Sequence, residues 1–331
     1  MKVFLTGASG YIGSSLASRL ISEGHELTIL LRDPVSVSSL IRKNSKILQG
    51  DIFNAEKLKS GTEGCDWVFH LAAYVKPTSL DKSLPYRTNV EGTKNILEAS
   101  IASGVRKIVF TSTGGTMGWS IDGLPVSEET NKDLEYQTEY ERTKSEAEKI
   151  AISASSPSTE IVIVNPTRVF GPGKLSKSNS VTRIMKLYGM GLWRIIPGDG
   201  NAIGNYSFIN DVVSGHILAA EYGKGGERYI LGGENISFSE FFDALGQAFN
   251  RKRKMIRMKP ERLKKVAYLS GRMASVIGKP PVISEQWIDK YLQNWILSSD
   301  KAMKKICYKI TPFEAALDIT VGWINYGRIK D

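Results

Sequence analysis

The chain is poor in cysteine and histidine and has no long apolar run. Its two cysteines, Cys65 and Cys307, form no spacing pattern, so we expect reduced thiols and no disulfide framework. The three histidines, His25, His70 and His216, are isolated and lack the spacing of metal ligands, so we predict no metal site. No apolar stretch approaches the roughly 20 residues needed to span a bilayer.

We find no internal repeats or low-complexity tracts, and we expect no secretory leader. The first residues, Met1 to Thr6, read as a strand entering a glycine turn, so we expect a cytoplasmic protein. An apolar share of 41% with 24% charged residues is typical of a globular chain. A length of 331 residues favours an enzyme with two lobes.

Positive charge is concentrated in one segment. Residues 251–279 carry 11 lysines and arginines against one acid, Glu261, which matches the formal charge of +10 of the whole chain. Residues 262–277 form an apolar helical stripe with basic residues around it. Such a helix can rest on an anionic membrane surface or pack its stripe in a substrate lobe, and we favour the second. No reader motif accompanies the charge, which argues against nucleic acid.

Short apolar runs alternate with helical patterns along the first two-thirds of the chain. Continuous apolar runs of this kind are typical of parallel strands buried on both faces, and their alternation with helices predicts a Rossmann-type doubly wound sheet. The predicted strands are Val3–Thr6, Leu27–Leu31, Lys46–Gln49, Trp67–Leu71, Lys107–Thr111 and Ile161–Val164. The helical patterns include Asn89–Ala102 and Thr138–Ala154.

The pattern loosens after Gly171 into glycine- and serine-rich loops, a strand-like Tyr206–Ile209 and then mainly helices. We therefore predict a dinucleotide-binding domain over 1–168, to which 204–232 returns. The remaining segments, 169–203 and 233–331, are predicted to form a smaller, mainly helical substrate lobe.

A glycine turn, Thr6–Gly13, follows the first strand and opens the first helix. Glycines at such a turn let the backbone approach a pyrophosphate, which lies at the positive end of the helix. A lone glycine triplet is weak evidence, but the strand–turn–helix context supports dinucleotide binding. The candidate residues are Gly7, Ser9, Gly10, Tyr11, Ile12 and Gly13.

Arg32-Asp33-Pro34 ends the second predicted strand. NAD enzymes commonly place an acid here for the ribose 2′-hydroxyl, whereas a 2′-phosphate needs a cation. Because Arg32 comes first and can form a forked contact with phosphate, we favour NADP(H) over NAD(H). Asp33 is either a ribose acid or a cap of the next turn. Asp51 and Ile52, after the third strand, are placed to meet the adenine, although a helix N-cap is the competing interpretation of Asp51.

Tyr140 and Lys144 lie four residues apart on a predicted helix, hence on one face. A free tyrosine ionises near pH ~10, and a nearby ammonium lowers this pKa by favouring the phenolate. Tyr140 can then exchange a proton with a carbonyl or hydroxyl oxygen while a hydride moves to or from nicotinamide. Such a pair is usually a solvated helix face, but its position after a dinucleotide turn and five strands favours a catalytic role.

Hydroxyl groups end the strand before this helix. Ser112 and Thr113 fall at the carboxyl edge of the predicted sheet, where open α/β folds bind ligands. A hydroxyl there can hydrogen-bond the reacting oxygen as charge develops. Hydroxyls at strand ends also commonly cap the next turn, and this alternative applies to Ser112.

Several motifs follow one another in a recognisable order: Thr6–Gly13, Asp51-Ile52, His70-Leu71-Ala72-Ala73, Asn89–Thr93, Thr111–Gly118, Tyr140–Lys144 and Asn165–Gly173. In this order the chain resembles an extended short-chain dehydrogenase/reductase over essentially its whole length. Within that family it is most similar to dihydroflavonol 4-reductase-like and 3β-hydroxysteroid dehydrogenase-like reductases. Arg32-Asp33-Pro34 matches the first of these and implies NADPH. Residues 228–235 are also similar to hopanoid-associated sugar epimerases.

The resemblance implies roles for the residues of the site. Tyr140 would be the acid–base, and Lys144 would bond the nicotinamide ribose and lower the pKa of the tyrosine. Thr113 falls at the catalytic serine or threonine of the family, with Ser112 just before it. Asn89 matches a family asparagine near the site.

The same resemblance implies the lining of the cofactor. Leu71, Ala72 and Ala73 would line the dinucleotide, and the segment from Pro166 to Val169 would flank the nicotinamide. Sugar-nucleotide epimerases of the family usually carry an arginine for the diphosphate where this chain has Gly204, which weakens the case for a nucleotide sugar.

Three functions compete at this point. The leading hypothesis is an NADP(H)-dependent reductase of a small-molecule carbonyl, or the reverse oxidation of an alcohol. The second is a nucleotide-sugar epimerase or dehydratase that recycles its bound cofactor. The third is a non-catalytic NADP-binding regulatory protein, against which the intact Tyr140/Lys144 pair argues. The resemblance also suggests a homodimer.

Overall fold

The computed structural model describes residues 1–75, 81–130, 136–175, 179–265, 267–268 and 285–330. Its strands are mostly short and apolar. They are β1 (Lys2–Thr6), β2 (Glu26–Leu31), β3 (Lys46–Gln49), β4 (Trp67–His70), β5 (Lys107–Thr111), β6 (Glu160–Pro166), β7 (Arg168–Phe170), β8 (Ile195–Pro197), β9 (Ile203–Phe208), β10 (Arg228–Leu231), β11 (Glu234–Ser237) and β12 (Ile256–Met258).

Helices connect these strands and cover both faces of the main sheet. They are α1 (Tyr11–Ser22), α2 (Ser39–Lys43), α3 (Ala55–Thr62), α4 (Leu84–Tyr86), α5 (Gly92–Ala102), α6 (Glu139–Ala154), α7 (Ser180–Met190), α8 (Ile209–Tyr222), α9 (Phe238–Ala248), α10 (Glu285–Leu292), α11 (Asp300–Ile306) and α12 (Phe313–Lys330). A wide π-helical turn, Arg87–Glu91, precedes α5, and 3₁₀ turns follow β2 and β5.

Seven parallel strands form the main sheet in the order β10-β6-β5-β4-β1-β2-β3. The strand order reverses beside β1, because the chain runs outward through β2 and β3 and then returns to β4 on the other side. A crevice opens at such a switch point, outside the carboxyl ends of the strands. The predicted doubly wound Rossmann-type fold is confirmed.

Apolar residues on both faces hold this sheet between helices. Alternate strand residues enter different clusters: Val3 and Leu5 pack on one face, and Phe4 packs on the other. This two-sided burial explains why the strands read as continuous apolar runs. It also fixes their register, since a slip of one residue would turn every side chain to the opposite layer.

The C-terminal part is built around two small sheets. In one, β9 pairs with β7 in parallel and with β11 in antiparallel orientation, and in the other β8 pairs with β12. The apolar faces of α7, α9 and α12 pack near them in the larger hydrophobic cluster. β10 returns to the edge of the main sheet, against β6.

The basic segment 251–279 is only partly described. Residues 260–265 are helical, and Lys264 there forms an ion pair with Asp289 of α10 at 2.7 Å. Residue 266 and residues 269–284, which hold most of the predicted apolar stripe, lie outside the described residues. None of the described helices combines the length and the apolar character that a membrane crossing demands.

Two buried histidines are held in the neutral form. His216 donates from Nδ1 to the carbonyl of Val212 at 2.7 Å and accepts at Nε2 from Thr111 Oγ1 at 3.0 Å. Burial lowers the pKa of His216 to about 4, and burial with the nearby Lys144 charge lowers the pKa of His70 to about 3. In the unfolded chain both protonate below pH ~6.5.

Replacing His216 with glutamine should therefore reduce the acid sensitivity of the fold. Between pH ~6.5 and pH ~4 the unfolded chain binds a proton that the folded chain refuses, so stability falls as the pH falls, by about 1.4 kcal/mol per pH unit for each histidine. We expect urea unfolding of wild type to lose about that much more per pH unit than unfolding of His216→Gln. Equal slopes for the two proteins would contradict a neutral His216.

Candidate active site

The glycine turn between β1 and α1 is shaped by close backbone contacts. Gly7 has φ +80°, and a Cβ there would lie 2.5 Å from the carbonyl carbon of Leu71 and 2.6 Å from the amide nitrogen of Ala72. A Cβ at Gly13 would overlap the carbonyl oxygen of Gly7. Only glycine fits at these two positions, so the turn stays tight against the strand end that carries Leu71, Ala72 and Ala73.

The outer side of the turn is open. A Cβ at Gly10 would meet only the Gly7 carbonyl, at 3.2 Å, so the backbone before α1 presents a bare surface at the positive end of the helix. The side chain of Tyr11 points inward, where its hydroxyl donates to the Gly171 carbonyl at 2.8 Å. Tyr11 and Ile12, whose side chain packs on the core, can therefore meet a phosphate only through backbone N–H groups. This cradle fits a dinucleotide pyrophosphate.

Two cations, Arg32 and Lys174, lie by the loop after β2, where the adenosine end of the cofactor is expected. Arg32 at the end of β2 is exposed, whereas Asp33 caps the following 3₁₀ turn by accepting from the amide of Val35 at 3.1 Å. Lys174 donates to the carbonyls of Ser9 at 3.1 Å and Ser36 at 2.9 Å, and so joins the glycine turn to the loop after β2. Sequence reasoning missed Lys174, because nothing in its local pattern indicates this bridge.

Asp51 and Ile52 lie beside the same end. Asp51 accepts from the amide of Phe53 at 2.9 Å, which is a local turn and not the cap of α3, whose N-cap is Asn54. Ile52 is buried, and its Cδ1 lies against Gly92 at the start of α5. The side chain of Ile52 thus packs under the site.

A buried series of hydrogen bonds links the glycine turn to the π-helical turn Arg87–Glu91 before α5. The amide of Ala72 donates to Thr6 Oγ1 at 3.3 Å, and Thr6 Oγ1 lies 2.7 Å from Nδ1 of His70. Nε2 of His70 lies 3.1 Å from Thr93 Oγ1, which donates to the carbonyl of Asn89 at 2.6 Å. These partners fix the neutral histidine with its proton on Nε2.

Asn89 carries this series of hydrogen bonds on to the helix that bears Tyr140. Its Oδ1 accepts from the amide of Tyr74 at 2.7 Å, and its Nδ2 donates to the Tyr74 carbonyl at 3.2 Å and to Thr143 Oγ1 at 3.0 Å. Asn89 is fully buried and its amide is engaged by protein groups. The geometry therefore gives Asn89 a positioning role behind the site.

Helix α6 begins at Glu139, after Thr138 caps it by accepting from the amide of Glu141 at 3.3 Å. Lys144 lies one turn after Tyr140 and is 1% exposed. Its ammonium contacts the Phe110 ring, 4.0 Å from the centroid, and makes no hydrogen bond within the described part of the chain. Burial lowers the pKa of Lys144 to about 7, against the opposing effect of Glu148. Its N–H donors thus have no acceptor among the described residues.

Tyr140 is half-buried, and its pKa lies above the usual value. Burial is the main cause, and the charges of Glu141 and Glu148 add to it. The four-residue spacing of Tyr140 and Lys144 predicts a lowered pKa for Tyr140. The Lys144 ammonium instead lies against the Phe110 ring, and burial disfavours its charge. Tyr140 is therefore a protonated phenol at neutral pH, which is the form that donates a proton.

The hydroxyls after β5 approach the start of α6. Thr113 caps a 3₁₀ turn by accepting from the amide of Gly115 at 3.2 Å, and it keeps its hydroxyl proton for another acceptor. A Cβ at Gly115 would lie 2.9 Å from Cγ of Glu141, so this turn packs directly beside the residue after Tyr140. Ser112 is 4% exposed, and its Oγ makes no hydrogen bond to the described residues.

Charged residues that sequence reasoning missed support α6 from behind. Glu148, buried one turn after Lys144, accepts at Oε1 from Thr116 Oγ1 and Asn165 Nδ2, both at 2.7 Å, and pairs with Arg228 at 3.4 Å. Its spacing after Lys144 was an available signal. The buried Glu141 pairs with Lys290 of α10, for which the sequence holds no local signal.

The end of β6 and the residues after it complete the carboxyl edge of the main sheet. Pro166 is buried, and its carbonyl and the Thr167 methyl group lie against Gly114, the residue after Thr113. Val169 is partly buried and packs on the main hydrophobic cluster. No group of histidines, cysteines and acids suited to a metal ion occurs among the described residues.

The cradle, the phenol and the buried ammonium lie on the elements where the sequence predicts a nicotinamide dinucleotide site. Residues 3–232 match the model of the NAD dependent epimerase/dehydratase family, and the chain belongs to this family. The predicted extended short-chain dehydrogenase/reductase is thereby confirmed, and the chain is an NAD(P)-dependent enzyme of that type. The non-catalytic alternative is not supported.

Two curated relatives match three quarters of the chain or more. A protein of Synechocystis sp. assigned as a dihydroflavonol 4-reductase is 28% identical over 99% of this chain and 96% of its own length. Cinnamoyl-CoA reductase 1 of Oryza sativa is 31% identical over 75% of this chain and 76% of its own. Both are named as reductases.

Solved structures share the fold over the whole chain. The crystal structure of gox2253 superposes with a TM-score of 0.80 at 29% identity and covers 98% of both chains. UDP-glucose 4-epimerase of Thermotoga maritima, solved with UDP-glucose, superposes with a TM-score of 0.80 at 22% identity and covers 99% of this chain and 100% of its own. At that identity the second likeness concerns the fold alone.

Replacing Lys144 with methionine should stabilise the protein while stopping turnover. A depressed lysine pKa means that the fold opposes the charge, at about 1.4 kcal/mol per pKa unit, and the lost contact with Phe110 offsets about 1–2 kcal/mol. We expect Lys144→Met to raise the free energy of unfolding of the dinucleotide-stripped protein by roughly 1–3 kcal/mol at pH ~7.

The gain should shrink as the pH rises from about 7 to about 10.5, because the folded and then the unfolded lysine lose their charge. Lys149→Met, an exposed change on the same helix, is the control for loss of a surface charge. Urea unfolding measures both. A less stable Lys144→Met protein would show that the ammonium is well satisfied in the fold.

Proposed function

We propose that the chain is an NADP(H)-dependent oxidoreductase that interconverts a carbonyl and an alcohol on a small molecule, in the manner of dihydroflavonol reductases. The observation that carries the proposal is that a protonated phenol, Tyr140, and a buried ammonium, Lys144, lie one turn apart on α6. Glu141, between them, packs against Gly115 of the turn after Thr113, which follows β5 at the sheet edge where parallel sheets bind ligands.

The protein groups divide the work of proton transfer and charge stabilisation. When bound, NADP(H) supplies the hydride or accepts it in the reverse direction. Tyr140 donates its proton to the carbonyl oxygen, and Thr113 holds that oxygen through its hydroxyl. Lys144 binds ribose hydroxyls and stabilises the phenolate that remains on Tyr140. The carboxylates of Glu141 and Glu148 oppose early ionisation of the phenol.

Preference for NADP(H) follows from the charges around the end of β2. Arg32 is exposed there and makes no ion pair with the described residues, while Asp33 is already used as a cap. Lys174 adds a second cation, which bonds the carbonyls of Ser9 in the glycine turn and Ser36 in the loop after β2. Asp33, the acid that could bind a 2′-hydroxyl and repel a 2′-phosphate, is engaged in the turn, whereas Arg32 is available for a 2′-phosphate.

A nucleotide-sugar epimerase or dehydratase is the second candidate. Arg168, whose guanidinium lies beside Gly204, favours it, because epimerases of the family bind the diphosphate of their substrate with an arginine. Net loss of NADPH with a panel of ketones and aldehydes supports the reductase. Conversion of UDP-glucose to its epimer without a net change of NADPH would replace it with the epimerase.

Other expectations from the sequence stay predictions. They are the cytoplasmic location, the homodimer, and the division into a dinucleotide domain and a substrate lobe at the stated boundaries. The packing of 251–279 in the substrate lobe, and not on a membrane, is also a prediction. None of them is needed for the proposed chemistry.

Replacing Tyr140 with phenylalanine should lower kcat by about 100- to 10,000-fold, since a general acid contributes about that much. The affinity for NADPH should stay within about threefold, because the phenol meets the reacting oxygen and not the phosphates. Tyr222→Phe removes an exposed hydroxyl at the end of α8 and is the control. Steady-state loss of NADPH absorbance and fluorescence titration measure the two quantities. A near wild-type rate in Tyr140→Phe would remove Tyr140 from the mechanism.

Replacing Arg32 with alanine should weaken NADPH binding by about 10- to 100-fold and leave NADH binding within about twofold. A charge-assisted hydrogen bond to the 2′-phosphate accounts for this difference. Lys46→Ala, at the opposite end of the neighbouring strand β3, removes the same charge away from the ribose. Titration of each cofactor gives the dissociation constants. Equal affinities of the wild type for NADPH and NADH would refute the assignment.

A further inference from the structure

Arg168, at the start of β7, lies in a box of aromatic rings. Its guanidinium carbon is 5.6 Å from the centroid of Tyr206, 5.4 Å from that of Phe238 and 5.3 Å from that of Tyr291. The rings come from β9, α9 and α10, so three separate elements converge on this one cation. Rings contact the face of a guanidinium and leave its N–H groups, which point outward in the plane, for other partners.

Those N–H groups are poorly satisfied. Nη1 donates to Tyr206 Oη at 3.4 Å, and the buried Nη2 has no hydrogen-bond partner among the described residues. No carboxylate of the described residues forms an ion pair with Arg168. Burying a guanidinium N–H costs free energy unless an acceptor pairs with it, and the aromatic rings carry no negative charge. Aromatic rings therefore surround the guanidinium, whereas the N–H groups at its edge have no anionic partner among the described residues.

Gly204 makes room for this arginine. A Cβ at Gly204 would overlap Nη1 of Arg168, so only the absence of a side chain on β9 lets the guanidinium occupy this position. The family resemblance implies that sugar-nucleotide epimerases carry their diphosphate-binding arginine at the position of residue 204, where this chain has glycine. The structure brings another arginine to the same place from the neighbouring strand, since β7 pairs with β9 through Arg168 and Tyr206.

Helix α10 connects the surroundings of Arg168 with those of Tyr140. Lys290 and Tyr291 are consecutive residues of α10, so their Cα atoms are about 3.8 Å apart. Lys290 pairs with Glu141, the residue after Tyr140, and the Tyr291 ring covers Arg168. Arg168 also follows Pro166 and Thr167, which lie against the residue after Thr113.

We propose that Arg168 anchors an anionic oxygen group, a carboxylate or a phosphate, on the substrate whose carbonyl is presented to Tyr140. The fork of the guanidinium edge suits two oxygens of either group, and the three rings hold the fork in one orientation. The proposal rests on the proposed function for the carbonyl end of the substrate. It adds a second, charged end that this function does not require.

Binding of charged and neutral probe pairs to the NADP⁺ complex of the Tyr140→Phe protein tests the proposal without turnover. The carboxylate pair is succinic semialdehyde and its methyl ester, and the phosphate pair is dihydroxyacetone phosphate and dihydroxyacetone. Calorimetric titration should show that the charged member of at least one pair binds about tenfold tighter or more, as a charge-assisted bidentate contact implies. The pair with the larger ratio identifies the anion.

Substitutions at Arg168, made in the same protein, assign that preference to its side chain. Arg168→Met should reduce the ratio to below about twofold, and Arg168→Lys should keep part of it, because an ammonium retains charge but loses the fork. Arg106→Met, at the opposite edge of the sheet before β5, removes the same charge and should keep the full ratio. The dissociation constant of NADP⁺ and the thermal midpoint show whether each variant is folded and loaded.

Three outcomes would overturn the proposal: equal binding within both pairs before any change at Arg168, a ratio that survives in folded Arg168→Met, or a loss of NADP⁺ affinity as large as the loss of probe affinity. The first needs no variant at Arg168, so poor folding of Arg168→Met cannot hide it. Because Tyr140→Phe is used throughout, failure here is distinct from failure of carbonyl reduction, which is measured on the enzyme with Tyr140.

Discussion

One buried chain of hydrogen bonds sets the geometry on which the rest of the site depends. It runs from the glycine turn at Thr6 through His70 and Thr93 to Asn89, and then to Thr143 on α6. Every member is fully buried, so each lost bond would leave an unpaired polar group in the core. These bonds thereby couple the glycine turn to the helix that carries Tyr140 and Lys144, and neither can shift alone.

Lys144 illustrates how such a site works against stability. The fold holds an ammonium against the Phe110 ring without a hydrogen-bond partner among the described residues, and burial lowers its pKa. Glu148 is itself tied to Thr116, Asn165 and Arg228, so the opposite charge stays at a distance and does not quench the lysine. The ordered surroundings therefore sustain a reactive group that an unconstrained chain would expose to water.

Local features of the sequence predicted the sheet, the glycine turn and α6 closely, because each depends on neighbours within a few residues. Strand β5 has the predicted bounds, and α6 begins at Glu139, directly after the predicted start at Thr138. Contacts between distant segments were beyond such reasoning. Lys290 is 149 residues from Glu141, and Gly204 suggested a lost cation although Arg168 occupies its place. The raised pKa of Tyr140 likewise depends on burial, which only the assembled fold determines.

The π-helical turn Arg87–Glu91 gives the segment before α5 an unusual sensitivity. The amide of Gly92 bonds the carbonyl of Arg87, five residues back, so the turn holds one residue more than an α-helix would. Deleting that residue would rotate everything before it by about 100° about the helix axis. Asn89 would then turn away from Tyr74 and Thr143. Length in this stretch is thus under tighter restraint than residue type, and insertions or deletions here separate the two halves of the site.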